Sequence, residues 1–163
     1  MPRPRPRPAL ALDVGRRRIG LAGCDPLGLT VTPLQALARA SFEADLTVLA
    51  ALIAQRRVEL LVVGLPLDGD GRSTRQAEHC RRYGLRLQSA LEASGRSLPL
   101  VWVNEHASSW DAGERFGLPG DRSGRLDSLA AALLLEHWLQ DGPEPPQGPS
   151  RVPRPPPPAM PPE

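Results

Sequence analysis

An uninterrupted apolar run, LLVVGL at Leu60–Leu65, leaves no polar side chain on either face of a strand. Such a strand must be covered on both faces, which is typical of parallel strands inside a sheet flanked by helices. Residues 43–57 before it repeat apolar side chains at helical spacing, and residues 73–93 after it form a long amphipathic segment. The chain therefore contains a βα repeat around a buried strand, and we expect an α/β protein.

Three further runs with strand patterns precede this repeat. Ala9–Val14 and Arg18–Cys24 are separated by a Gly-Arg-Arg break, which predicts a strand, a tight turn and a second strand. Residues 29–34 follow a second turn and alternate in polarity, and Pro33 within them favours the edge of a sheet. We expect a three-stranded meander at the start of the fold.

The second half of the chain continues the pattern. We expect a short strand at residues 100–103, a helix at 109–116 and a final helix at 126–140. The βββαβαβ order, followed by two helices, predicts a mixed five-stranded sheet with helices on both faces.

Both ends of the chain are rich in proline. Residues 1–8 contain a PRPRPRP run, and residues 142–163 hold eleven of the twenty prolines. Such segments favour solvated polyproline coil, so we expect disordered tails at 1–8 and 141–163 around one folded domain at 9–140.

The charge of the predicted domain is balanced, with fifteen arginines against fifteen Asp and Glu. Its net charge therefore gives no support to nucleic-acid binding. The excess of positive charge in the whole chain comes from Arg3, Arg5 and Arg7.

Neither a membrane segment nor a disulfide is predicted. No apolar run approaches the roughly twenty residues that span a bilayer, and no leader with a clean apolar segment precedes the domain, so we expect a cytoplasmic protein. Cys24 and Cys80 are isolated from each other and from any metal-ligand spacing. We expect both to be reduced and structural.

Three acids occupy positions that suit catalysis. Asp13 lies near the end of the first strand, Glu105 closely follows a later strand, and Asp127 opens the last helix. Each also has an ordinary structural interpretation: Asp13 as the end of a strand bonding turn amides, Glu105 as a loop acid, and Asp127 as a favoured residue at a helix N-terminus. Ala130 and Ala131 leave a small face that allows the helix to approach the sheet and direct Asp127 inward.

Taken together, the three carboxylates suit hydrolysis of phosphodiesters. Carboxylate oxygens are hard ligands that Mg²⁺ and Mn²⁺ favour. Two such cations, held about 3.5 to 4 Å apart, activate water and stabilise the leaving oxygen. The acids thus define a candidate catalytic and metal-binding set of Asp13, Glu105 and Asp127.

Four blocks of the chain resemble the YqgF family of Holliday-junction-resolvase-like proteins, in order and in spacing. The first block is the most specific, with an acid, a glycine, a basic residue and IGLA. The blocks are ALDVGRRRIGLAGCD (11–25), VVGLPLDGDGR (62–72), VNEHASSWDA (103–112) and LDSLAAALLLEHWL (126–139).

This resemblance implies a ribonuclease H-like fold and a nuclease that matures the 5′ end of pre-16S ribosomal RNA, with branched DNA as a further possible partner. It also implies that the carboxylate site maps onto Asp13, Glu105 and Asp127. Substrate contacts are expected from two pairs of arginines. One pair lies in the first block and the other in the loop before the last helix: Arg16 and Arg18, Arg122 and Arg125.

Departures from the family pattern keep two alternatives open. His106 follows Glu105 where the family has an arginine, so a protein that binds structured RNA or a DNA junction without cutting it remains a candidate. The acid and glycine-rich turn between the first strands also resemble the phosphate-binding hairpin of sugar kinases and actin. An ATP-dependent phosphotransferase, however, needs a second domain for which residues 9–140 leave no room.

Overall fold

The computed structural model describes residues 4–67, 70, 72–104 and 124–143. Within them a single five-stranded sheet is flanked by helices. The strands are β1 (Ala9–Val14), β2 (Arg18–Cys24), β3 (Val31–Ala38), β4 (Leu60–Leu65) and β5 (Leu100–Asn104), and the helices are α1 (Phe42–Arg56), α2 (Arg75–Ala93) and α3 (Arg125–Asp141). The helix predicted at 109–116 and the proline-rich segment from 144 onward lie outside the described residues.

The strand order β3-β2-β1-β4-β5 confirms the predicted mixed sheet. β1, β2 and β3 pair antiparallel as a meander, whereas β1, β4 and β5 run parallel. The three parallel strands therefore end along one side of the sheet, called here the carboxyl edge.

Alternation along the strands builds two separate cores. Leu10, Leu12 and Val14 of β1 pack beneath α1 and α2, while Ala9 and Ala11 face α3 together with its buried Trp138. Every residue of β4 is buried, because helices cover both faces of the sheet at this strand. Helices on both faces were predicted, and that prediction is confirmed.

β3 differs from its predicted bounds of 29–34. The carboxylate of Asp25 accepts hydrogen bonds from the backbone amides of Leu27 (3.1 Å) and Thr30 (2.6 Å), which holds the preceding turn together and delays the strand to Val31. At its other end the strand runs on to Ala38, because Arg18 at the start of β2 pairs with that residue. Pro33 lies in an edge strand, as predicted.

Helix ends follow from their capping residues. Ser41 Oγ accepts from the amide of Ala44, and Thr74 Oγ1 accepts from the amide of Ala77, so α1 begins at Phe42 and α2 at Arg75. The second cap explains why α2 starts two residues later than its predicted bound at 73. None of the helices in the described parts of the chain is both long and apolar enough to cross a membrane.

The N-terminal segment corrects one expectation. Residues 1–8 were expected to be solvated, yet Arg7 is only 9% exposed. Its carbonyl accepts from Cys24 Sγ at 3.2 Å, and the Pro8 carbonyl accepts from the amide of Glu59 at 2.8 Å. Ordered chain thus precedes Ala9, because these backbone carbonyls satisfy donors of the domain. Cys24 and Cys80 are both buried, and neither takes part in a disulfide.

Candidate active site

Asp13 lies in the last part of β1, on the face of the sheet covered by α3. Its neighbours two and four residues back, Ala11 and Ala9, belong to the α3 core, and strand alternation places the Asp13 side chain on the same face. Its partner across the antiparallel pair is Gly20. Asp13 is intermediate in exposure, whereas every other residue of β1 is buried. The strand thus presents a single carboxylate at its carboxyl end.

Asp127 reaches this region because α3 packs directly on β2. A Cβ atom built on Gly20 would overlap the backbone carbonyl of Asp127, so only glycine allows this approach. One residue on, the buried Ser128 Oγ accepts a hydrogen bond from the amide of Leu21 at 3.3 Å. The first turn of α3 is therefore fixed against the glycine that pairs with Asp13, and the two acids share one face and one edge of the sheet.

The carboxylate of Asp127 is held by Arg18. Arg18 Nε donates to Asp127 Oδ2 at 3.1 Å, and the side chains are 36% and 33% exposed. A partly solvated pair of this kind contributes little to stability, but it orients both groups. Arg18, predicted as a substrate contact, thus lies beside a predicted catalytic acid.

The third predicted acid, Glu105, falls outside the described residues. β5 ends at Asn104, which is in register with Leu65 at the end of β4. Among the residues that the structure describes, no group of three His, Cys, Asp or Glu side chains lies close enough to hold a metal ion. The predicted three-acid set is therefore represented here by two of its members.

The predicted substrate-binding arginines occupy different environments. Arg125 is an exposed residue in the first turn of α3, while Arg122 lies outside the described residues. Arg16 is exposed in the turn between β1 and β2, a turn closed by a hydrogen bond from the Gly15 amide to the Arg18 carbonyl at 2.9 Å. Unlike Arg18, Arg16 lies on the α2 side of the sheet, in a pocket of other basic residues.

This arginine pocket was not predicted from the sequence. It has a volume of about 470 Å³ and is lined by Arg16, Arg39, Ala40, Arg75, Gln76 and His79. Of its lining residues, only Arg16 was predicted to belong to a functional site. The four-residue spacing of Arg75 and His79 on one helix face was a weak signal, but nothing in the sequence joins that face to Arg16 and Arg39.

His79 is neutral in this setting. Its Nε2 lies 2.8 Å from Arg39 Nη1, and because a guanidinium has only donors, Nε2 must be the acceptor. Partial burial lowers the pKa of His79, and the positive charges of Arg39, Arg16 and Arg82 lower it further. The pocket therefore carries its positive charge on the arginines.

Comparisons with known proteins show what the chain is similar to. The family model named RuvX, described as Holliday junction resolvase, matches residues 7–141. A Synechococcus protein (strain CC9605) is 68% identical over 142 residues, covering 87% of each chain, and a Parasynechococcus marenigrum protein (strain WH8102) is 65% identical over 144 residues, covering 88% of this chain and 87% of the other. Both are provisionally named pre-16S rRNA nuclease.

A solved structure supports the fold. The crystal structure of the yeast mitochondrial Holliday junction resolvase superposes with a TM-score of 0.51 at 10% identity, covering 84% of this chain and 79% of that one. At this identity the likeness concerns the fold, and it confirms the ribonuclease H-like architecture expected from the four sequence blocks.

Proposed function

The chain belongs to the RuvX family, and from that premise we propose that it is a nuclease that hydrolyses phosphodiester bonds in the precursor of 16S ribosomal RNA. The names of the relatives that are more than 60% identical support this substrate. We infer from this role that the protein acts in the cytoplasm.

One observation carries the proposal: the close approach of α3 to β2 brings Asp127 onto the face and edge of the sheet that carry Asp13. The packing is made by backbone at Gly20 and by the buried hydroxyl of Ser128. A helix whose Asp127 served only as an N-terminal residue would not require a glycine beneath it. The contact therefore favours a site in which both carboxylates act together.

The residues present fit a divalent cation of the Mg²⁺ or Mn²⁺ class. Both described acids offer hard carboxylate oxygens and both are partly exposed. Glu105 follows β5 in the sequence, and β5 is parallel to β1 and separated from it by β4. We infer that Asp13, Asp127 and Glu105 would hold it. A cation bound there would supply Lewis-acid stabilisation of the charge that develops on the phosphate.

The chain's own basic residues have a separate task. Arg18, partly exposed beside Asp127, is positioned to neutralise a phosphate oxygen near the carboxylates while it orients that acid. Arg125, two residues before Asp127 in α3, is assigned to the same substrate strand, and so is Arg122, which lies outside the described residues. Arg16 contacts the substrate from the opposite face.

Parallel incubation with a pre-16S fragment and with a DNA four-way junction tests the proposal. Each substrate is supplied with Mg²⁺, with Mn²⁺ or with EDTA. We expect metal-dependent cleavage of the RNA on the 5′ side of the mature sequence and none in EDTA. Binding of either substrate without cleavage in any metal would contradict the proposal and favour a protein that binds structured nucleic acid without cutting it.

A further inference from the structure

The arginine pocket is built to hold an anion. Three of its lining side chains are guanidiniums, none is a carboxylate, and the imidazole of His79 is neutral. A concave site of this charge focuses the electric field of its arginines and raises the local concentration of anions. Guanidinium forks also match the geometry of phosphate oxygens.

Arg39 is fixed in place by its surroundings. Its Nη1 donates to the Gly15 carbonyl at 2.9 Å, its Nε lies 4.0 Å from Asp45 Oδ2, and its guanidinium carbon lies 4.8 Å from the centre of the Tyr83 ring. Asp45 is in turn held by the hydroxyl of Tyr83 at 3.1 Å. This arginine is therefore oriented before any ligand arrives.

Arg16 and Arg75 form the exposed rim of the pocket. Both are exposed, and in the described parts of the chain neither donates a hydrogen bond or forms an ion pair. Arginines without such contacts to the described residues, placed beside a fixed arginine, provide donors that a bound anion can take up. The pocket thus combines one rigid guanidinium with two adaptable ones.

The position of the pocket relates it to the carboxylates. Arg16 lies in the turn directly after β1, and Arg75 begins the helix that follows β4, so both lie at the carboxyl edge. Asp13 and Asp127 lie at this edge on the α3 face, whereas the pocket lies on the α2 face. A nucleic-acid strand that crosses the β1–β2 turn would contact both the two carboxylates and the arginine pocket.

We infer that the arginine pocket binds a phosphate group of the nucleic acid, on the face of the sheet opposite Asp13 and Asp127. This inference rests on the proposed function for the identity of the substrate. It assigns substrate positioning to Arg39 and Arg75 as well as to Arg16. The phosphate is either a diester within the strand or a monoester at its 5′ end.

The test compares two double variants that remove the same charge. Arg16→Gln with Arg75→Gln removes the rim of the pocket. Arg57→Gln with Arg96→Gln removes two exposed arginines that precede β4 and β5, at the opposite edge of the sheet. All four side chains are exposed, so both variants should keep the melting temperature of the parent.

Binding is measured by fluorescence anisotropy with a short single-stranded RNA labelled at its 3′ end, in EDTA and over a range of KCl concentrations. We expect the rim variant to lose about tenfold in affinity and its salt slope to become shallower by about 1.4, because two phosphate contacts contribute roughly 0.7 each. The control variant should lose less than about twofold, since it changes only long-range charge. Equal losses in the two variants, or none in either, would overturn the inference.

Two RNA probes separate the sources of phosphate. A loss with 5′-hydroxyl RNA assigns the pocket to a diester within the strand, and a loss confined to 5′-phosphorylated RNA assigns it to a terminal monoester; both support the inference. Because the assay contains no divalent cation, its result does not depend on cleavage. A chain that binds through the pocket but never cuts would defeat the proposed function alone.

Discussion

On the α3 face, the carboxyl edge of the sheet carries Asp13 and Asp127, whereas on the α2 face it carries Arg16, Arg39 and Arg75. The acidic side depends on backbone packing, with Gly20 beneath the first turn of α3. The basic side depends on a network of polar side chains around the buried Asp45. We expect the first to be sensitive to added volume and the second to lost charge.

The sharpest way to break the acidic side is Gly20→Ala. The new Cβ would overlap the Asp127 carbonyl, which is backbone and cannot rotate away, so α3 must separate from β2. We expect a loss of about 3 kcal/mol or more in the free energy of unfolding, at the upper end of overpacking effects, together with loss of cleavage. Chemical denaturation and the cleavage assay measure the two.

Gly23→Ala is the matched control on the same strand. Its Cβ would point to the opposite face and meet the guanidinium of Arg56, which is the far end of a flexible side chain. We expect a smaller loss than at Gly20, with cleavage kept. Equal losses at Gly20 and Gly23 would show that the close approach of α3 has no special role.

A smaller effect is expected from Asp45→Ala on the basic side. Asp45 is 1% exposed and accepts from the Ala40 amide at 3.0 Å and from the Tyr83 hydroxyl at 3.1 Å, so its removal leaves buried donors unsatisfied. We expect a loss of about 2 to 3 kcal/mol. RNA affinity should also fall several-fold, because Arg39 is no longer held.

Glu43→Ala provides the comparison on the same helix. Its carboxylate is 78% exposed and lies 3.9 Å from Arg86, a surface pair that is worth little. Stability and RNA affinity should both stay close to those of the parent. A similar response to the two substitutions would mean that Asp45 does not organise the arginine pocket.

Much of the fold could be predicted from local patterns. β1, β2 and β4 have their predicted bounds, because apolar runs ended by Gly-rich turns determine both the burial and the limits of a strand. β3 was misplaced because the Asp25 turn depends on hydrogen bonds that its composition does not reveal. The burial of Arg7 was missed for a related reason: a proline-rich segment can still supply carbonyl acceptors to the domain.

The candidate site could be predicted in part. Asp13 was distinguished by its place in an apolar strand, and Asp127 by the small residues that follow it, so both were candidates before the structure placed them on one face of the sheet. The arginine pocket was not, because Arg16, Arg39 and Arg75 lie in three separate segments that only the tertiary fold brings together. The balanced charge of the domain also concealed it, since a balanced sum says nothing about where charges cluster.

The central claim is that Asp13 and Asp127 act as one catalytic unit. Its most direct test measures melting temperature and metal-dependent cleavage for Asp13→Asn and Asp127→Asn, with Glu92→Gln as an exposed acid away from the site. Asn keeps the shape and removes the charge. We expect both site variants to lose cleavage by orders of magnitude, since a carboxylate ligand is lost.

Stability is compared in metal-free buffer. Asp13→Asn should match or slightly exceed the parent in stability, because repulsion between the acids is relieved. Asp127→Asn should lose at most about 1 kcal/mol, because its ion pair with Arg18 is removed. Active variants, or an Asp13→Asn protein destabilised by about 1 to 3 kcal/mol with its cleavage intact, would contradict the account and make Asp13 a structural residue.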